Sequence, residues 1–377
     1  MDRLSLPNGS TAVNVGIIDR QALPPPNTST LYLQSQHCPP DAPSYAFAIA
    51  HPSGRSLLFD LGLRKDWWSL TPSTAHFLQT SGWKLEASQN VSEILQANGQ
   101  TLAAIEAVIW SHHHFDHVGD ISPFPKSTKI IIGPGFTHHY VPGYPTNPSS
   151  TLLEAQWQDR ELHELSFQNA PPLKIGSFDA IDYFGDASFY LLHAPGHTFG
   201  HLAALARVTA DPDNPSANSF VFMGADTCHF SAQFRPSPGR PMLLPAGAEY
   251  TPAAFESGAD SDTSASAASA TATATASTTC PGAILERLLA QPTTPLFTMP
   301  ASNTVDANEA QASIRGMQAF DAAENVWVVI AHDQALLGVV DFYPASVNDW
   351  REKGYGEKTR WRFWNTLRRR TSETKLA

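Results

Sequence analysis

Ten residues constrain this chain more than any others: Ser111 to Asp120, SHHHFDHVGD, directly behind the apolar run AVIW. A short apolar run ending in polar residues reads as a strand leading into a turn. Within the turn, His112, His114, Asp116 and His117 form the pattern H-x-H-x-D-H. Histidine supplies only 15 of 377 residues, so a chance match in a chain this long is roughly one in a thousand and the pattern calls for a chemical reading. On an extended segment the alternating His112 and His114 point the same way and can meet one ion, while Asp116 and His117 turn beyond them towards a second.

Four ligands do not complete two sites, and the rest of the chain supplies more His and Asp at strand ends. HAPGHTFGH places His197 after a Pro-Gly turn, VFMGAD places Asp226 at the end of an apolar strand, and VVIAHD places His332 at the end of another. Imidazole and carboxylate donors suit Zn²⁺, with iron, manganese and cobalt as alternatives. A closed structural zinc site normally has four ligands and favours cysteine, whereas seven His and Asp candidates suit two open ions.

Around this constellation the chain alternates strands and helices. VGIID, TLYLQ, YAFAIA and SLLFD make the first sixty residues β-rich. EASQNVSEILQANG, Glu86 to Gly99, sets Val91, Ile94 and Leu95 at helical spacing and stops on Asn-Gly. AIEAVIWSH, TKIIIG, SFYLLHAPG, HLAALARV, SFVFMGAD and VWVVIAHD are further strands. Their mixture with helices predicts an α/β fold of sheets packed face to face with helices outside. Residues 253–279 are Ser, Ala, Thr and Asp with almost no large apolar side chain, a low-complexity, flexible insertion. GAILERLLAQ and ANEAQASIRGMQAFDAAE then resume helical patterning, and residues 352–377 read as a basic C-terminal helix and tail, with Trp361, Phe363, Trp364 and Leu367 packing on the body. The insertion lies between Asp226 and His332, so if His332 completes the site, residues 1–377 form a single domain.

Hydrophobic residues are 42% and charged residues 16% of the chain, enough for a large core. The formal charge of −11 repels polyanions, so nucleic acid is not an expected partner. No run approaches a membrane span and no secretory signal opens the chain. Cys38, Cys228 and Cys280 give no disulfide framework. These features predict a cytoplasmic protein acting on a small molecule; its oligomeric state is left open.

H-x-H-x-D-H followed in order by His, Asp and His resembles the metallo-β-lactamase superfamily, over a stretch from Asp60 in LLFDLG to His332. The resemblance implies the αββα four-layer sandwich of that family, with a dinuclear zinc site, two Zn²⁺ per chain, at one edge. By it, His112, His114 and His197 hold the first metal, Asp116, His117 and His332 the second, and Asp226 bridges them. A metal-bridging hydroxide is then the nucleophile, Asp116 its proton acceptor and donor, and Asp60 orients a ligand histidine. The commonest true β-lactamases carry Cys where Asp226 stands, which disfavours antibiotic hydrolysis. Flavodiiron reductases place Glu where His114 stands. HHHFDH is similar to HLHFDH of bacterial N-acyl-homoserine lactonases, but those enzymes have Tyr three residues after the bridging Asp, where this chain has His229.

The expected function is therefore metal-dependent hydrolysis of a lactone or related cyclic ester or amide, lactonase-like. Thioester hydrolysis of the glyoxalase II or acyl-carrier-protein thioesterase type is the runner-up, and a non-catalytic metal- or ligand-binding protein comes third. His229 is the added catalytic candidate, as oxyanion donor or substrate contact. His113 is expected to point away from the metals, His201 to support the His197 loop, and Cys228 to be a small buried residue. His138 and His139 occupy a loop that could serve as a lid. Phe115, Phe136, Phe230, Trp67 and Trp68 are candidates for an apolar pocket.

Overall fold

The computed structural model describes residues 4–19, 21–23, 42–168, 172–242 and 290–364. The 253–279 insertion, the TLYLQ strand, Leu367 and almost all of GAILERLLAQ lie outside the described residues. The described strands are, in order, β1 (Asn14–Ile18), β2 (Gln21–Leu23), β3 (Ala42–Pro43), β4 (Ala46–Ala50), β5 (Ser56–Phe59), β6 (Lys84–Leu85), β7 (Ile105–Ile109) and β8 (Lys129–Ile132). They continue with β9 (Leu162–Glu164), β10 (Leu173–Ile175), β11 (Phe178–Asp182), β12 (Phe189–His193), β13 (Leu202–Thr209), β14 (Ser219–Met223) and β15 (Val326–Val329).

Two six-stranded sheets result, ordered β1-β4-β5-β7-β8-β9 and β10-β11-β12-β13-β14-β15, beside a small sheet β3-β2-β6. In the first, β1, β4 and β5 pair antiparallel and β5, β7, β8 and β9 pair parallel. In the second, all pairs are antiparallel except the parallel β14 and β15.

Side chains alternate across a strand, so each apolar run serves two interfaces at once. Leu57, Phe59, Ala107, Ile109 and Ile131 of the first sheet pack with Leu191, Ala204, Val221, Met223 and Val329 of the second in one buried cluster. Their neighbours Leu58, Val108, Ile130 and Ile132 face outward, against Val91 and Leu95 of the helix Val91–Ala97. On the far side Leu192, Leu205, Phe222 and Val328 meet Ile314, Met317 and Phe320 of the helix Ala307–Ala322. The layers are thus helix, sheet, sheet, helix, as the sequence predicts. Among the described residues no helix is long and apolar enough to cross a membrane.

At the C-terminal end, a helix spans Tyr355–Arg360. Beyond it Phe363 is buried against Phe230, with Trp361 and Trp364 partly buried beside them. Arg362 also fixes the segment, its Nη2 donating to the Leu337 carbonyl at 3.2 Å.

Because β5 runs parallel to β7 and β14 to β15, their C-terminal ends emerge at one edge. That edge receives Asp60 after β5, the Ser111–His117 turn after β7, Asp226 after β14 and His332 after β15. Two backbones also meet there: a Cβ added to Gly133 would stand 1.9 Å from the Gly200 carbonyl oxygen. Gly133→Ala is accordingly expected to force the His197–His201 loop off the loop after β8. A fall in melting temperature of several degrees checks this, and an unchanged transition would refute it.

Candidate metal centre

The turn after β7 opens with Ser111, whose amide and hydroxyl donate to Asp60 Oδ1 and Oδ2, both at 2.7 Å. Asp60 is buried and held at a φ of 60°, a conformation non-glycine residues seldom adopt, so this carboxylate is fixed at some backbone cost. It also accepts from His117 Nδ1 at 2.8 Å. Burial pushes the Asp60 carboxyl up, against the pull of His117 and the Ser111 donors.

These contacts settle which ring nitrogens face inward. With its hydroxyl proton on Asp60, Ser111 Oγ accepts from His112 Nδ1 at 3.0 Å. His197 donates from Nδ1 to the Asn303 carbonyl at 2.9 Å, and His332 from Nδ1 to the Pro43 carbonyl at 2.6 Å. Each of these rings, like His117, therefore turns Nε2 into the cluster. His114 turns Nδ1 inward, 2.9 Å from His112 Nε2 and 3.1 Å from His197 Nε2.

Two sets emerge. His112, His114, His197 and Asp226 offer one convergent group of ligand atoms, and Asp116, His117 and His332 the other, each within 4.8 Å. Asp226 Oδ2 lies 3.5 Å from His197 Nε2 and 3.7 Å from His112 Nε2. Its Oδ1 lies 3.3 Å from His117 Nε2 and 3.1 Å from His332 Nε2, which is also 3.3 Å from Oδ2. Asp116 Oδ2 is 3.6 Å from His332 Nε2 and 3.9 Å from His117 Nε2.

Burial, reinforced by neighbouring imidazoles, holds His112 and His197 well below the ordinary histidine range; burial brings His114 to about 4. In His117 and His332 burial is outweighed by Asp226 and Asp116, and both are raised. Asp226 is held well below the usual carboxylate range, His332, His117 and His229 outweighing its burial. Charge balance thus requires positive charge beside these carboxylates, as imidazolium protons or as a cation that displaces them. His117 Nε2 and Asp226 Oδ1 are buried without a hydrogen-bond partner. Imidazole nitrogens and carboxylate oxygens converging on one largely buried space fit a divalent cation of the zinc type, which would displace the imidazolium protons.

All seven predicted ligands come together. His229 joins them: its Nε2 stands 3.1 Å from Asp226 Oδ2 and its ring 4.9 Å from that of His197. His113 turns away and stacks on Tyr140 at 4.0 Å. His201 donates from Nδ1 to Ala194 O at 2.9 Å and accepts the Asp226 amide at Nε2 at 3.1 Å, tying the base of the His197 loop to Asp226. Cys228 is fully buried, which pushes its thiol up.

The aromatic expectations divide. Phe136 and Phe230 are core residues, packed on Trp110 and Phe363 rather than lining a pocket. Phe115 lies 6.3 Å from Trp83, which in turn contacts Phe77, while Trp67 and the exposed Trp68 pair with each other. His138 and His139 lie on the short helix Phe136–Tyr140, where His139 stacks on Phe199 at 3.5 Å. Sequence reasoning missed Trp83 and the carbonyls of Pro43 and Asn303; backbone carbonyls carry no residue-type signal.

Residues 39–205 match a family model described as the metallo-beta-lactamase superfamily. The chain is 38% identical over 373 residues to the gamma-lactamase FDB1 of Fusarium pseudograminearum, covering 95% of this chain and 83% of that protein. It is 37% identical over 378 residues to the cytochrome P450 monooxygenase mpaDE of Penicillium roqueforti, covering 97% of this chain but only 38% of that protein's length. Among solved structures, an N-acyl homoserine lactone hydrolase with the product N-hexanoyl-L-homoserine at its catalytic metal centre is similar in fold. Its TM-score is 0.52 at 14% identity, over 90% of this chain and all of that one.

Proposed function

Since the chain belongs to the metallo-β-lactamase superfamily and is similar to hydrolases within it, we propose that it uses two zinc ions to open a lactone or related cyclic ester or amide by hydrolysis. The observation that carries this reading is the Asp226 carboxylate, which stands between two sets of ligand atoms: Oδ2 faces His112 and His197, Oδ1 faces His117, and His332 Nε2 lies near both oxygens. The gamma-lactamase and lactone hydrolase among similar proteins support a ring as substrate.

His112, His114 and His197 would hold one ion, Asp116, His117 and His332 the other, with Asp226 between them. Bound there, two cations would supply a water acidic enough to ionise near neutral pH and a Lewis acid for the scissile carbonyl. The residues contribute the rest. Asp60 and Ser111 lock the His112 and His117 tautomers, so the inward nitrogens are oriented before any ligand arrives. Asp116 holds a proton at its carboxylate and returns it to the leaving oxygen or nitrogen as the ring C–O or C–N bond breaks. His229 acts on the carbonyl oxygen by exchanging its bond to Asp226 for one to the substrate. The apolar group of Phe115, Trp83 and Phe77 favours an apolar ring or substituent.

The test incubates zinc-loaded protein with aliphatic and aryl lactones, lactams and acyl thioesters and follows the gain of one water by mass spectrometry, with Asp116→Asn as the blank. Metal-dependent opening of at least one ring class is expected, with His229→Ala lowering kcat by about 100-fold. Turnover of thioesters alone would replace this reading with thioester hydrolysis, and Asp116→Asn equal to wild type would remove Asp116 from its role.

A further inference from the structure

We propose that two straps, the buried Pro43–Tyr45 and the more exposed Asn303–Asp306, support the two ligand sets separately, with Ser44 and Asp306 as positioning residues, so that either set can be loosened without the other. The inference rests on the metal reading above.

The first strap serves Asp116 and His332. The Pro43 carbonyl accepts from His332 Nδ1 at 2.6 Å. Ser44, fully buried, donates its hydroxyl to the Asp116 carbonyl. Tyr45, equally buried, donates its hydroxyl to the Asp333 carbonyl at 3.1 Å and its amide to the Ala331 carbonyl at 3.2 Å. Three consecutive residues thus bind the backbone on both sides of His332 and at Asp116, and none of these bonds reaches the other set.

The second strap serves His197. The Asn303 carbonyl accepts from His197 Nδ1 at 2.9 Å. The Val305 amide donates to Gly196 and His197 carbonyls at 3.0 and 3.2 Å, and the Asp306 amide to the Gly196 carbonyl at 3.0 Å. Asp306 then caps the helix Ala307–Ala322, accepting from Asn308 and Glu309 amides at 2.8 and 2.9 Å, which anchors the strap to a sixteen-residue helix. From that helix Ser313 donates to the Pro195 carbonyl at 2.7 Å. Gly196 has a φ of +117°, and a Cβ there would sit 1.9 Å from the Ala310 amide nitrogen, so loop and helix are in backbone contact.

Groups that orient a ligand from outside typically change metal affinity by about 10–100-fold when removed. The division between straps predicts that the loss falls on one ion at a time. The experiment loads the full chain with zinc and titrates it with a chelator, counting equivalents retained, for wild type, Ser44→Ala and Asp306→Ala. Each variant is also made in a His332→Ala background, where only the His112, His114, His197 and Asp226 set remains intact. Wild type should retain two equivalents. Ser44→Ala should release one at about 10-fold lower chelator activity and leave the single equivalent of the His332→Ala background unchanged. Asp306→Ala should weaken that remaining equivalent. Tyr45→Phe and Ser313→Ala report on the same two straps if either first variant fails to fold.

Both equivalents leaving together in both variants, or neither variant differing from wild type, would overturn the separate support while leaving the metal reading intact. A wild-type chain that retains no metal would overturn the metal reading itself.

Discussion

Asp226→Ala is expected to lower turnover by about a thousandfold or more and to cost the protein at least one metal equivalent, while the sheets remain folded. The expectation follows from where the carboxylate stands, Oδ2 beside His112 and His197, Oδ1 beside His117, and His332 close to both oxygens. A metal ion contributes several kcal/mol of transition-state stabilisation, and each 1.4 kcal/mol or so is tenfold in rate, which gives the magnitude. Removing the carboxylate also takes away the charge that outweighs burial in raising His117 and His332, so both should fall towards or below the ordinary histidine range. Metal analysis beside turnover on the best ring substrate checks the prediction. Two retained equivalents with wild-type turnover would show that Asp226 does not join the sets.

The second large effect concerns stability. Arg235 and Asp321 form a fully buried pair, Arg235 Nε to Asp321 Oδ2 at 3.0 Å and Nη2 to Oδ1 at 2.5 Å, and Arg235 Nη1 also donates to the Arg360 carbonyl at 3.1 Å. The pair fastens the segment leading away from Asp226 and His229 to the helix Ala307–Ala322 and to the C-terminal segment. Asp321→Asn leaves the buried guanidinium without its hydrogen-bonded counter-charge, with only the more distant influence of Asp333, and breaking such a pair costs about 3–5 kcal/mol. The urea midpoint should fall accordingly. The double substitution Arg235→Met with Asp321→Leu should recover much of the loss, because it removes the uncompensated charge while keeping volume. A midpoint unmoved by Asp321→Asn would mean that water reaches the guanidinium and the pair is not dry.

Much of this site is legible in the order of residues. H-x-H-x-D-H behind AVIW, and His197, Asp226 and His332 behind later apolar runs, already place donors where strands end. Unbroken apolar runs such as SLLF and SFVFM also announce strands buried on both faces, since alternate residues must serve different interfaces. Other features resist reading. Phe136 and Phe230 look like pocket residues until Trp110 and Phe363 arrive against them from distant segments. The straps at Pro43 and Asn303 act through carbonyl oxygens, which every residue possesses, so only their placement distinguishes them.

What the chain's order of residues determined by itself is the donor chemistry, imidazoles and carboxylates at strand ends, and the alternation that makes a four-layer packing. The tertiary structure alone decided which nitrogen of each ring turns inward and how the Asp226 carboxylate stands between the two sets. A histidine presents one nitrogen to a site only because the other is held elsewhere. Here the holders are Asp60, Ser111, Pro43 and Asn303, all but Ser111 remote in sequence from the rings they hold and brought within about 3 Å of them only by strand pairing and tertiary packing.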